Sequence, residues 1–168
     1  MLKNLLNEKK DSILESWYLQ ILESYPAEGA QFIKSKKDRF SNPIGFTIST
    51  EIKTVYDQIL TDMDYQTLHG SLEKIIKIRA VQEFTSSQAI AFIFLLKKAI
   101  RDNLEAELTD HSLLRQLTVF EAKIDQVALV AFDIYSQSRE KMFEVRLNEY
   151  RRQSIHFFRH TEADKDSQ

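Results

Sequence analysis

The chain has 168 residues, with 23 Lys and Arg against 25 Asp and Glu, so its net charge of -2 excludes a general attraction to nucleic acid. That length fits one domain with a core that needs no staples, and zero Cys excludes disulfides, thiolate metal sites and Cys nucleophiles, in keeping with a cytoplasmic setting. A hydrophobic fraction of 43% speaks against general disorder, while only three Gly and two Pro predict few turns and long helices, that is, an all-α protein.

Leu2, Leu5, Leu6, Ile13, Leu14, Trp17, Tyr18, Ile21 and Leu22 recur at three- and four-residue spacing, which predicts an amphipathic first helix stopped before Pro26. A short helix around 27–34 and a polar link, Lys36-Lys37-Asp38-Arg39, are expected next. Asn42-Pro43 has the form of an N-cap followed by Pro at the first helical position, so a helix starts there and reaches about Leu60. Asp64 caps the next helix, which ends near Gln82. Thr85-Ser86-Ser87-Gln88 fits a capping box and opens a helix running to about Glu107. That helix begins with eight apolar residues, Ala89 to Leu96, and a helix apolar on every side is expected to be covered on every side.

After Asp110, another N-cap candidate, neither Pro nor Gly appears, and the helical pattern runs from Ser112 to about Arg159. At about 1.5 Å per residue that is roughly 70 Å, whereas a compact chain of this size is about 40 Å across. The second half is therefore expected to project. Beyond Tyr135 the apolar stripe thins to Met142, Phe143, Leu147, Tyr150, Ile155 and Phe157. The expected division is a helical sensor-like domain over 1–138, a projecting helix over 139–160 and a disordered tail over 161–168. The start, Met1 to Leu6, lacks a signal-peptide apolar region, and the run from Ala89 to Leu96 is too short to cross a bilayer, so no membrane insertion is expected.

Chemistry is hard to find. His156 and His160 share a helical face, but no acid at matching spacing completes a metal site. The central helix carries neither His nor Cys, which leaves His69 as the one serious candidate for a haem axial ligand. No G-x-S-x-G, P-loop, H-E-x-x-H or G-x-G-x-x-G pattern occurs, and no residue set nominates a reaction, so the chain reads as a non-enzyme. Basic residues at 34–39 and at Arg151-Arg152 are interrupted by acids and read as solvated surface rather than a nucleic-acid site. Three charges stand among apolar neighbours: Arg79, Asp125 and Asp133. Each sits on the polar side of its helix, or else Arg79 forms an internal ion pair with Asp125 or Asp133, with Gln82 in the same polar network.

Three segments together resemble the N-terminal domain of RsbRD-type stressosome proteins, the RsbT co-antagonists. They are Lys37-Asp38-Arg39-Phe40-Ser41-Asn42-Pro43-Ile44-Gly45, the stretch Ile78 to Ala89, and Ile124-Asp125 with Ala131-Phe132-Asp133-Ile134-Tyr135 and Arg139-Glu140-Lys141. The match spans roughly Leu14 to Asn148. The resemblance implies a globin-like sensory fold that typically lacks haem, dimerises and signals through its last helix to an output domain, commonly of the STAS type. The sequence ends at Gln168, so no output domain is expected within it, and the resemblance carries fold and broad class rather than control of a kinase.

The expected function is a non-enzymatic sensory or regulatory module without cofactor. It is expected to form a homodimer and to engage a protein partner through Met142, Phe143, Leu147 and Tyr150. Phe92, Phe94 and Phe132 are candidates for lining an internal cavity, with ordinary core packing as the competing reading. A small-ligand or haem carrier using that cavity is the alternative function. Arg79 and Gln82 are expected to be architectural, tying helices together.

Overall fold

In the computed structural model, residues 1–26, 40–82 and 84–165 are described, with side chains described through residue 154. The expected short helix at 27–34 and the link at 36–39 lie outside the described residues. Six α-helices and no strand appear among the described residues: α1 Leu2–Glu8, α2 Lys10–Glu23, α3 Pro43–Leu60, α4 Tyr65–Val81, α5 Ser86–Asn103 and α6 His111–Lys165. This all-helical architecture with a long last helix is consistent with the globin-like class.

The caps behave as their residue types dictate. The Asn42 side chain accepts the Gly45 N–H at 2.9 Å with Pro43 at the first helical position, and the Asp64 carboxylate accepts from Thr67 N–H at 3.1 Å. At α5 the Thr85 hydroxyl accepts the Gln88 N–H while the Gln88 side chain accepts the Thr85 N–H, a complete capping box. Asp110 accepts the Ser112 N–H at 2.9 Å ahead of α6.

Two helix boundaries differ from expectation. The first helix is broken at Lys9, whose backbone leaves helical geometry at φ -95 and ψ 14. The Lys9 ammonium donates to the Asn103 carbonyl at 2.7 Å and pairs with Glu107 at 2.6 Å, so a contact to the far end of α5 accompanies the break. Helix α5 stops at Asn103 instead of about Glu107. There the Asn103 side-chain amide donates back to the Ala99 carbonyl, and the fully buried Leu104 anchors a run of turns.

Two compact units divide the chain, Met1–Tyr135 and Ser136–Gln168. The core belongs to the first. Trp17, Ile21, Ile48, Ile52, Tyr56, Ile75, Phe92 and Leu96 are fully or almost fully buried. Polar bonds fix how these helices pack. Trp17 Nε1 donates to the Phe92 carbonyl at 2.6 Å, joining α2 to α5, and the Tyr56 hydroxyl donates to the Leu6 carbonyl at 2.9 Å, joining α3 to α1. The Lys74–Glu51 pair joins α4 to α3, and a two-pronged Arg101–Glu121 pair at 2.7 Å joins α5 to α6. In the second unit, residues 136–154 include no buried side chain. Helix α6 continues through Lys165, and residues 166–168 of the expected tail lie outside the described residues.

Candidate functional site

The junction of α4 and α5 holds an unusual group. Arg79, in the last turn of α4, is fully buried. Its Nη2 donates to the Gln88 carbonyl at 3.0 Å and to the Ser24 hydroxyl at 3.2 Å, so one side chain links the end of α2, the end of α4 and the start of α5. The guanidinium lies 4.3 Å from the Phe84 ring centre, 5.2 Å from that of Tyr25 and 5.5 Å from that of Phe92. Aromatic faces thus present negative potential to the cation. Tyr25 and Phe84 meet edge to face at 5.3 Å, which steadies two walls of this cage. Burial lowers the proton affinity of the guanidinium and raises that of the Tyr25 phenol, the latter effect opposed by the charge of Arg79. Arginine nonetheless stays charged in proteins. Arg79 Nε and Nη1 and the Tyr25 hydroxyl make no hydrogen bond among the described residues.

The ion pair considered from the sequence does not form. Asp125 instead meets Lys97 of α5 at 2.6 Å, and Asp133 is exposed. Both acids lie on the solvent side of α6, while Arg79 is enclosed by rings. Gln82 is half-buried at the C-cap of α4; its carbonyl accepts the Phe84 N–H at 2.8 Å, and its side-chain oxygen has no partner among the described residues. Arg79 and Gln82 therefore share the junction without belonging to a network with Asp125 and Asp133. The sequence reading missed Ser24, Tyr25 and Phe84. Tyr25 ahead of Pro26 and Phe84 inside the family stretch carried no spacing signal that joined them to Arg79.

The three phenylalanines also separate. Phe92 is core, but Phe94 is 43% exposed and Phe132 is 45% exposed, so they do not line an internal cavity with Phe92. Residues two apart on a helix point in different directions, which is why Phe92 and Phe94 cannot share one. The expectation that α5 is covered on every side fails with them. Its buried positions, Ala89, Phe92, Ile93, Leu96, Ala99 and Ile100, form one face, while Ala91 and Phe94 are exposed.

That bare side continues onto α6. The Lys97 ammonium lies 5.8 Å from the Phe94 ring centre and also holds Asp125, so Phe94 and Asp125 share a flank. Leu129 and Phe132 follow Asp125 at i+4 and i+7, and both are exposed. This i, i+4, i+7 spacing was the signal available for Leu129, hidden because its apolar neighbours Val127, Ala128 and Ala131 are core. In the second unit, Phe143 is 62% and Tyr150 67% exposed, Leu147 is exposed, and Met142 is half-buried.

No group of three or more His, Cys, Asp or Glu side chains poised to hold a metal ion occurs among the described residues. His69 packs its ring 5.8 Å from Tyr65 on the same helix. Among the described residues no helix is long and apolar enough to cross a membrane. Comparison with curated proteins and with solved structures finds no match. The family described as the RsbT co-antagonist protein rsbRD N-terminal domain matches residues 11–150, and with most of its length covered the chain belongs to that family.

Proposed function

We propose that the chain is a non-enzymatic, cytoplasmic sensory or regulatory domain that forms a homodimer and signals through protein contacts. The carrying observation is the uncovered side of α5. The apolar run from Ala89 to Leu96 needs a cover, and Ala91 and Phe94 remain exposed in the single chain. Leu129 and Phe132 extend the same flank on α6, which gives a second copy an apolar strip to bury. Membership in a stressosome-associated regulatory family supports the protein-contact reading over an enzymatic one. Residues 139–160, with Met142, Phe143, Leu147 and Tyr150, are the segment assigned to output: several large apolar side chains there are exposed among charges, the pattern of a helix made to pack on another helix.

Sedimentation of the full chain, of a truncation after Ser138 and of the variants Phe94→Glu with Phe132→Glu tests this. The expected result is a dimer for the full chain and a monomer with unchanged helicity for the double variant. The truncation should lose partner capture. A full chain that sediments as a monomer at every concentration, or a dimer untouched by the double variant, overturns the assignment.

A further inference from the structure

A groove in the first unit, lined by α1, the end of α3 and the first turns of α6, has a composition that the protein contacts proposed above do not use. It measures about 410 Å³, within the range of roughly 300–1,000 Å³ typical of small-molecule sites. Leu6, Ile59, Leu60 and Phe120 form its floor, all buried beneath the surface. Its polar lining is one-signed. Lys3 of α1 and Arg115 and Lys123 of α6 stand around it, and no carboxylate lines it. None of these three cations has an ion-pair partner among the described residues, although Lys9, Lys10, Lys74, Lys97 and Arg101 of the same unit are all paired.

The spacing on α6 explains the arrangement. Arg115, Val119 and Lys123 recur every fourth residue, as do Gln116 and Phe120 in the adjoining row, so one helix presents cations flanking an apolar strip. Across from it, the Leu2 N–H donates to Gln116 Oε1 at 3.1 Å, which fixes α1 against α6 and holds the groove's width. An apolar floor with uncommitted cations at its edge is complementary to a molecule with a hydrocarbon body and a single anionic head. A neutral apolar ligand leaves the cations unused, and a compact anion such as phosphate leaves the floor unused.

We infer that the groove lined by Leu6, Phe120, Lys3, Arg115 and Lys123 binds the anion of a free medium-chain fatty acid, its chain on the apolar floor and its carboxylate held by cations at the groove's edge. No step of this depends on dimerisation, and binding is read on the full chain alone.

Isothermal titration with dodecanoate below its micelle concentration, beside dodecanol and acetate, tests the assignment. Dodecanoate should bind as one molecule per chain, dodecanol about tenfold more weakly and acetate undetectably. The Lys3→Gln, Arg115→Gln, Lys123→Gln triple variant should lose about the same factor and become insensitive to salt. Val119 is 67% exposed, so Val119→Trp should fold normally and obstruct the groove, abolishing binding with an unchanged melting curve. Equal binding of dodecanol, undiminished binding in both variants, or no binding of dodecanoate overturns the proposal. Flotation with phosphatidylglycerol vesicles in the absence of dodecanoate binding assigns the cations to a lipid surface and likewise overturns it. Capture of an acidic helical peptide that Val119→Trp blocks, without dodecanoate binding, does the same.

Discussion

Replacing Arg79 with Met separates what the buried charge contributes from what the buried volume contributes. The guanidinium loses two bonds on substitution, to Ser24 and Gln88, worth about 1.5–3 kcal/mol each for a charged donor. Contacts with three rings add about 0.5–2 kcal/mol. Against this, two buried guanidinium nitrogens without partners among the described residues each cost about 1–3 kcal/mol, and desolvating the charge costs several more. The acceptors are not stranded: Ser24 Oγ still bonds the Ile21 carbonyl at 2.6 Å, and the Gln88 carbonyl faces the helical ladder of α5. The opposing terms nearly cancel, so Arg79→Met should change stability by no more than about 2 kcal/mol, or roughly 4–8 °C in a chain of this size. Arg79→Ala empties the site and should cost about 2–5 kcal/mol through the cavity alone. Thermal melts followed by circular dichroism distinguish the two. If Arg79→Met falls as far as Arg79→Ala, the charge itself holds the junction and the cancellation is refuted. If it melts normally but loses dimerisation or partner capture, the charge serves signalling.

Further outcomes follow from single contacts. Trp17→Phe removes the indole N–H that bonds the Phe92 carbonyl and should cost about 1–3 kcal/mol; in the parent protein this lone Trp should emit at short wavelength and shift red on unfolding. Thr85→Ala breaks the capping box of α5 and should cost about 1 kcal/mol, lowering the melting temperature by roughly 2–4 °C. The Tyr56 phenol, buried and donating to Leu6, is pushed well above its ordinary ionisation range by burial. Its folded pKa is raised, so the stability it supplies is complete below about pH 10, where the unfolded phenol ionises, and declines as pH rises beyond it. Chemical denaturation from pH 8 to 11 should show that decline, and Tyr56→Phe should make it shallower, the Tyr18 and Tyr25 phenols, which burial also raises, supplying the remainder. Met63 adopts a φ of 42, a left-handed backbone that side chains resist, so Met63→Gly should melt no lower than the parent.

Local chemistry made much of the fold legible. Asn42-Pro43, Asp64, Thr85 with Gln88, and Asp110 each carry their instruction within three residues, and each caps a helix as its side chain dictates. The break at Lys9 was not legible because it accompanies bonds to Asn103 and Glu107, some ninety residues away. The apolar run from Ala89 to Leu96 showed that α5 needs cover but not how much one chain supplies. Only packing reveals that Phe92 is core while Phe94, two residues on, is half bare. Likewise, charges among apolar neighbours singled out Arg79, Asp125 and Asp133, yet could not tell a caged cation from acids on a solvated face.

By itself, then, the sequence determined what periodicity and caps can encode: an all-helical chain, where its helices begin, and membership in a sensor-type family through motifs along most of its length. Tertiary structure alone decided which partners the long-range groups take. Among the described residues Arg79 meets aromatic faces rather than a carboxylate, Asp125 meets Lys97, and three cations without an ion-pair partner gather around an apolar groove. The physical reason is range. A cap or an amphipathic stripe is set by neighbours within one or two helical turns, whereas the partner of a buried charge depends on how helices far apart in sequence are packed together.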